Sequence, residues 1–139
     1  MSLGPVTDKY WFADEAKVIA EELRLPIYAT HGTADMLSVI GIACTAVEKR
    51  AGDRLSAIAL IDQGEVDLVI NVPREYDAFG RPDGILIRRA AVDAGVPLIT
   101  DLQFARAVVE ALRRRKLHDL QILAWEDYVD RGPNLPLNG

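Results

Sequence analysis

Residues 25–40 read LPIYATHGTADMLSVI, and this stretch decides the fold. Its first five residues form an apolar run of strand length, and residues 33–40 have helical character. The residues between them, Thr30, His31, Gly32 and Thr33, are small or polar. The stretch therefore predicts a strand, a tight turn and a helix, with free backbone N–H groups and two hydroxyls directed at one point. The positive end of the helix dipole would favour an anion there.

The turn residues alone leave two interpretations open. Thr33 could simply be the N-cap of the helix, with Gly32 allowing the chain to turn, and no ligand is needed for either role. The turn lacks the longer glycine spacing of a P-loop or of a dinucleotide-binding motif. His31 has no second histidine near it in the sequence, which argues against a metal site.

The alternation of strand and helix continues on both sides of this stretch. Helical patterns occupy residues 13–23, 54–63, 85–94 and 102–115, and apolar runs of strand length occupy residues 42–47, 66–72 and 96–100. Continuously apolar strands that are each followed by a helix are typical of a parallel sheet covered on both faces. We therefore predict a three-layer α/β fold with a doubly wound parallel sheet of about five strands.

Composition limits the function. The 139 residues are 50% hydrophobic and 27% charged, as in one ordinary globular domain, and the net charge of −5 argues against a nucleic-acid-binding protein. The single cysteine, Cys44, excludes an internal disulfide and suits a reducing compartment. No apolar run approaches the ~18 residues that cross a bilayer. We expect a cytoplasmic domain with neither a membrane nor a nucleic acid as partner.

Ligands of such sheets bind outside the carboxyl ends of the strands, where loops meet helix N-termini. The segments after the predicted strands are rich in hydroxyl, amide and cationic donors: Thr30, His31, Thr33, Lys49, Arg50, Arg54, Asn71, Arg74 and Arg81. These donors suit a small anion.

The order of several motifs resembles a known family. ATHGTA at residues 29–34, GEVDLVIN at 64–71 and IRRAAVD at 87–93 follow an early Asp8-Lys9 pair, with VEK at 47–49 between them. Residues 7 to 115 thus resemble the methylglyoxal-synthase-like domain, and most closely the allosteric domain at the C-terminus of the carbamoyl phosphate synthetase large subunit. The family's first strand is reduced here to LGPV at residues 3–6, so a truncated strand that forms a sheet edge with unpaired backbone groups is expected.

The resemblance and the composition of the two ends together predict a domain organisation. The domain spans residues 7–130, and residues 131–139 form a flexible tail. Residues 1–6 hold the remnant of the first strand, and their opening MSLG reads as a leftover of an expression vector.

The resemblance also implies a ligand. In bacterial synthetases the matching residues, here Lys9, Thr30, Thr33, Lys49 and Asn71, contact the phosphate and ribose of a regulatory nucleotide, uridine or inosine monophosphate. His31 and Gly32 of the same turn, and Arg74 after the fourth strand, complete the predicted ligand-binding residues. Relatives that bind N-acetylglutamate have an aromatic residue where this chain has Lys49, which favours a phosphorylated effector. No cofactor and no metal are implied.

A rival interpretation is an enzyme of the same family. Methylglyoxal synthase acts on dihydroxyacetone phosphate with an aspartate as general base, and Asp53 stands close to that position. However, the family's catalytic His-Asp-Pro-Asp segment is replaced by GRPD at residues 80–83, and Asp53 could equally cap the following helix. We therefore predict a non-catalytic regulatory domain whose partners are the effector and the catalytic domains of a parent synthetase. Self-association stays open.

Overall fold

The computed structural model describes residues 1–4, 6–49, 55–73 and 84–114. Its strands are β1 (Ser2–Leu3), β2 (Tyr28–Thr30), β3 (Thr45–Val47), β4 (Val69–Val72) and β5 (Leu98–Ile99). Its helices are α1 (Val6–Trp11), α2 (Ala13–Lys17), α3 (His31–Val39), α4 (Ala57–Asp62), α5 (Ile85–Asp93) and α6 (Leu102–Arg114), and α2 continues into a π-helical segment, Val18–Glu22. Outside the described residues lie Arg50, Asp53, Arg54, Arg74 and Arg81, the GRPD segment and the predicted tail.

The strand pairings are all parallel within the described residues. β1 pairs with β4, β4 with β5, and β2 with β3. The two groups of strands are joined at Met1, whose carbonyl accepts from the Thr30 N–H at 3.1 Å and whose amino group donates to the Tyr28 carbonyl at 2.6 Å. The strands therefore lie in the order β3-β2-β1-β4-β5, and the predicted parallel α/β sheet of five strands is confirmed.

The first strand lies in the centre of the sheet, and the expectation of an edge strand is wrong. Ser2 lies opposite Asn71 and Leu3 opposite Val72, while Met1 contacts β2 on the other side. Along the chain, β2 and β3 are added on one side of β1, and β4 and β5 are then added on its other side. β1 and β4 thus meet at the point where the strand order reverses, which is where ligands of doubly wound sheets bind.

Two apolar clusters cover the two faces of the sheet. Neighbouring residues of β4 separate them, because successive side chains of a strand point to opposite faces: Ile70 joins one cluster and Val69 the other. The larger cluster packs Ala16 of α2, Leu37 of α3, and Ala105 and Val109 of α6 against Ile99 of β5. The smaller one packs Ile61, Ile87 and Ala91 of α4 and α5. This arrangement is the three-layer architecture that the sequence predicted.

Two helices begin where the sequence pattern did not place them. α3 begins at His31, with Thr30 as its N-cap in an extended conformation (φ −65°, ψ 148°), so the prediction of Thr33 as N-cap is wrong. α4 begins at Ala57, three residues later than predicted, because Ser56 caps it: its hydroxyl accepts from the Ala59 N–H at 3.1 Å. The residue at which a helix begins depends on the backbone geometry of its cap, and the spacing of apolar residues does not show that geometry.

The Ser56 cap leads to a prediction about stability. Replacing Ser56 by alanine removes the acceptor for the Ala59 N–H in a fully buried position, and we expect the free energy of unfolding to fall by about 1 kcal/mol. Urea denaturation measures the change. Ser38→Ala, an exposed position inside α3, serves as the control and should change stability by less than half as much. Equal effects of the two substitutions would contradict the capping role.

The buried amino group of Met1 leads to a prediction about pH. Burial lowers the pKa of this group from 8.0 to about 6. Between these values the unfolded chain binds more protons than the folded one, so the free energy of unfolding should rise with pH from about 6 to 8, by roughly 2–3 kcal/mol in total. Urea denaturation across this range tests it. The same chain acetylated at Met1 should lack this slope, and an identical slope in both would contradict the assignment.

Candidate functional site

Buried polar side chains gather at the carboxyl ends of β1, β2 and β4. They surround the short first strand. This polar cluster consists of Ser2, Lys9, Thr30, Thr33 and Asn71. Thr33 and Asn71 are each 1% exposed, and Lys9 is 6% exposed. Because a buried polar group is costly without a hydrogen-bonding partner, the contacts of each side chain show what it does here.

The two threonines hold the first strand. The Thr33 hydroxyl accepts from the Leu3 N–H at 3.0 Å and lies 3.4 Å from the Leu3 carbonyl, to which it can donate. The Thr30 hydroxyl donates to the Ser2 hydroxyl at 3.2 Å. A two-residue strand offers little backbone pairing of its own, and these side chains supply the missing contacts at its end.

Lys9 reaches the first turn of α3. Its ammonium donates to the Gly32 carbonyl. A Cβ at Gly32 would lie 3.0 Å from the Lys9 Nζ, so glycine makes room for the ammonium. The prediction that Gly32 serves a tight turn is wrong, because Gly32 lies within α3 and is not among the glycines with positive φ.

Asn71 joins the first strand to α5. Its Nδ2 donates to the Ser2 carbonyl at 3.4 Å, and its Oδ1 accepts from Nη1 of Arg88 at 2.7 Å. Arg88 was not among the predicted ligand-binding residues. In the sequence it stands beside Arg89 on an amphipathic helix, and only the fold distinguishes the arginine that faces Asn71 from its neighbour.

The remaining predicted residues lie further out. His31 is exposed, and its Nε2 lies 2.8 Å from Oε1 of Glu48, a contact that links the start of α3 to the end of β3. Lys49 follows Glu48 and is also exposed. The structure therefore brings Lys9, Thr30, Gly32, Thr33 and Asn71 together and leaves His31 and Lys49 at the rim of the site, while Arg74 lies outside the described residues.

A largely apolar cavity of about 170 Å³ reaches from the amino ends of β2 and β4 to Ser2 and Thr30 of the polar cluster. Its walls include Ile19, Leu23, Leu68 and Val109. Most of the wall is apolar, and it includes the acidic residues Glu65 and Asp67, so the polar cluster beside the Lys9 ammonium is the better candidate for an anion site.

Within the described part of the chain, no group of three or more histidine, cysteine, aspartate or glutamate residues lies close enough together to bind a metal ion. None of the helices described there is both long enough and apolar enough to span a bilayer.

Known proteins resemble the chain over most of its length. The carbamoyl phosphate synthase large chain, C-terminal section, of Methanopyrus kandleri is 41% identical over 114 residues, which cover 76% of this chain and 21% of that protein. The human mitochondrial carbamoyl-phosphate synthase [ammonia] is 34% identical over 119 residues, covering 79% of this chain and 8% of that protein. The chain thus spans about a fifth of the first relative and less of the second.

A solved structure supports the fold. The crystal structure of methylglyoxal synthase from Elizabethkingia anophelis superimposes with a TM-score of 0.59 at 16% sequence identity, covering 94% of this chain and 89% of that chain. At that identity the likeness shows the architecture alone.

The family model of the MGS-like domain matches residues 14–100. This match covers more than half of the 139 residues and includes the ATHGTA, GEVDLVIN and IRRAAVD motifs. The predicted resemblance is confirmed, and the chain belongs to the MGS-like domain family.

Proposed function

We propose that the chain is an effector-binding regulatory domain of a carbamoyl phosphate synthetase. Its ligand is a small phosphorylated effector, a nucleoside monophosphate such as uridine or inosine monophosphate, bound at the carboxyl ends of β1, β2 and β4. The chain itself performs no chemistry in this proposal. The similarity to carbamoyl phosphate synthase large chains supports the assignment to a parent enzyme, and the electrostatics of the polar cluster support the class of ligand.

The observation that carries the proposal is the position of the Lys9 ammonium. It is almost fully buried and lies beside the first turn of α3 at Gly32. The N-terminus of a helix carries a partial positive charge, so a cation placed there is electrostatically unfavourable and an anion is favourable. An anion bound beside Lys9 would be attracted by the ammonium and by the helix end together. A phosphate satisfies both.

The hydroxyl groups can serve a ligand without releasing the first strand. A hydroxyl donates one hydrogen bond and accepts two. Thr33 holds β1 mainly by accepting from the Leu3 N–H at 3.0 Å, whereas its contact with the Leu3 carbonyl is long, at 3.4 Å. The Thr33 proton can therefore turn to a phosphate oxygen while the shorter bond persists.

The proposed partner of the liganded domain is the catalytic part of the parent synthetase. The relatives are several times longer than this chain, so a domain of this kind has large neighbours in those proteins. Trp11 is 68% exposed and lines an open groove with Arg106 and Arg114, which suits contact with a second domain. The effector would regulate activity by its difference in affinity for two states of the whole enzyme.

Binding of a phosphorylated effector can be measured by titration calorimetry with uridine monophosphate, inosine monophosphate and N-acetylglutamate. We expect the wild type to bind at least one nucleotide, and Lys9→Met to bind it at least tenfold more weakly, because a hydrogen bond to a charged group contributes about 1.5–3 kcal/mol. Lys17→Met is the matched control, since Lys17 is exposed and its ammonium lies 4.0 Å from Oε2 of Glu21 on the same helical face. Its affinity should equal that of the wild type.

Three outcomes would contradict the proposal. If the wild type bound none of the three compounds, the proposed class of effector would be wrong. If Lys9→Met bound as tightly as the wild type, the proposed binding site would be wrong. Conversion of dihydroxyacetone phosphate to methylglyoxal that disappears in Asp53→Asn would show that the chain is an enzyme.

Gly32→Ala should separate stability from binding. Alanine favours a helix over glycine by up to about 1 kcal/mol, so urea denaturation should show unchanged or higher stability. The added Cβ would displace the ammonium of Lys9, whose Nζ lies 3.0 Å from that position, and nucleotide affinity should fall several-fold.

Gly41→Ala is the opposite control. Gly41 follows α3 with a φ of +79° and open space around its Cβ position, so this variant should lose stability and keep its affinity. Weaker binding in both variants, or in neither, would contradict the role assigned to Gly32.

A further inference from the structure

Two adjacent arginines of α5 have different environments. Arg88 is partly buried, and its Nη1 donates to Oδ1 of Asn71 at 2.7 Å. Arg89 has a side chain that is 78% exposed, and its Nε lies 3.5 Å from a carboxylate oxygen of Asp93 one turn along the same helix. The pair therefore offers one arginine directed at the polar cluster and one matched arginine directed away from it.

The contact with Arg88 determines which way the Asn71 amide faces. A guanidinium group only donates hydrogen bonds, so the atom of Asn71 nearest to it must be the oxygen. The amide nitrogen then faces the Ser2 carbonyl, to which it donates at 3.4 Å. A flipped amide would place its N–H groups against the donors of Arg88 and its oxygen against the Ser2 carbonyl. Both contacts would be repulsive.

Gly84 confines the same amide from a third side. A Cβ at Gly84 would lie 2.6 Å from Oδ1, 2.7 Å from Nδ2 and 3.0 Å from Cγ of Asn71, so the amide group packs directly against the glycine. Gly84 has a φ of +72° and precedes α5, the helix that carries Arg88. The start of α5 thus provides both the surface on which the amide rests and the donor that orients it.

We propose that Arg88 is a positioning residue of the effector site. It holds the Asn71 amide with its N–H donors towards the carboxyl end of β1, where the effector is proposed to bind, and the site thereby selects ligand oxygens that accept hydrogen bonds. This inference rests on the proposed function. The terminal torsion of asparagine is broad, so without Arg88 the amide can turn its oxygen towards the ligand and repel it.

The orientation of the amide can be tested without any ligand. In the ¹⁵N-labelled protein, the side-chain NH₂ signals of Asn71 are identified by their loss in Asn71→Asp. In Arg88→Gln these signals should shift and exchange faster with water, because the amide loses its anchoring donor. Arg89→Gln should leave them unchanged, and Arg88→Lys should restore them in part. Signals of Asn71 that are the same in wild type, Arg88→Gln and Arg89→Gln would overturn the inference.

Titration with uridine monophosphate and inosine monophosphate then tests the consequence for binding. For a nucleotide that the wild type binds, Arg88→Gln should weaken binding about tenfold and Arg89→Gln by less than twofold. In an Asn71→Ala background the Arg88→Gln effect should vanish, because Arg88 acts through that amide. A loss that persists in this background would overturn the positioning role and indicate direct contact between Arg88 and the ligand. A wild type that binds neither nucleotide overturns the proposed function. In that case the NH₂ signals of Asn71 still show whether Arg88 orients the amide.

Discussion

The hydrogen bonds around a two-residue strand hold the sheet together at its centre. β1 has β2 on one side and β4 on the other, so the chain at Met1 to Leu3 connects the two halves of the sheet. Two residues provide few backbone bonds, and the end of the strand depends on the hydroxyls of Thr30 and Thr33. The position of the helices on either face follows from this junction, because both apolar clusters pack against strands that it joins.

Side chains at this junction both support β1 and belong to the proposed effector site. Thr33 anchors Leu3 and is proposed to contact a phosphate, and Asn71 contacts Ser2 and Arg88 while facing the site. A substitution at either position therefore changes the support of β1 as well as the ligand contacts. Lys9, Gly32 and Arg88 are better probes, because they act on the site from α1, α3 and α5 rather than through the backbone of β1.

The sequence predicted the features that depend on local pattern. The apolar run VDLVINV and the helical period of IRRAAVD report burial on a strand and on a helix, and both elements formed where expected, although the strands are shorter than the apolar runs. Thr30, Gly32 and Thr33 of ATHGTA lie together with Lys9 and Asn71, as the family resemblance implied, whereas His31 lies at the rim. These predictions needed only a local period or a motif.

The errors came from contacts between distant parts of the chain. The sequence leaves open whether Thr33 is an N-cap, because nothing local shows that the Leu3 N–H, thirty residues earlier, donates to its hydroxyl. The first strand was placed at an edge because the position of a strand in a sheet depends on its neighbours and not on its own sequence. Arg88 was missed because its neighbour Arg89 has the same chemistry, and only the rotation of α5 decides which of them faces Asn71.

The proposed site also suggests how a bound effector would be sensed. Lys9 and Trp11 belong to the same six-residue helix, α1, with the ammonium buried beside α3 and the indole exposed in the groove next to α6. The ammonium already contacts the first turn of α3 at Gly32, so an anion that draws it away from this carbonyl would also shift α1 and the indole that the helix carries. The helix would then carry a change at the ligand site to a surface suited to a neighbouring domain. Because coupling is reciprocal, a catalytic domain bound at Trp11 would alter the affinity for the effector by the same factor.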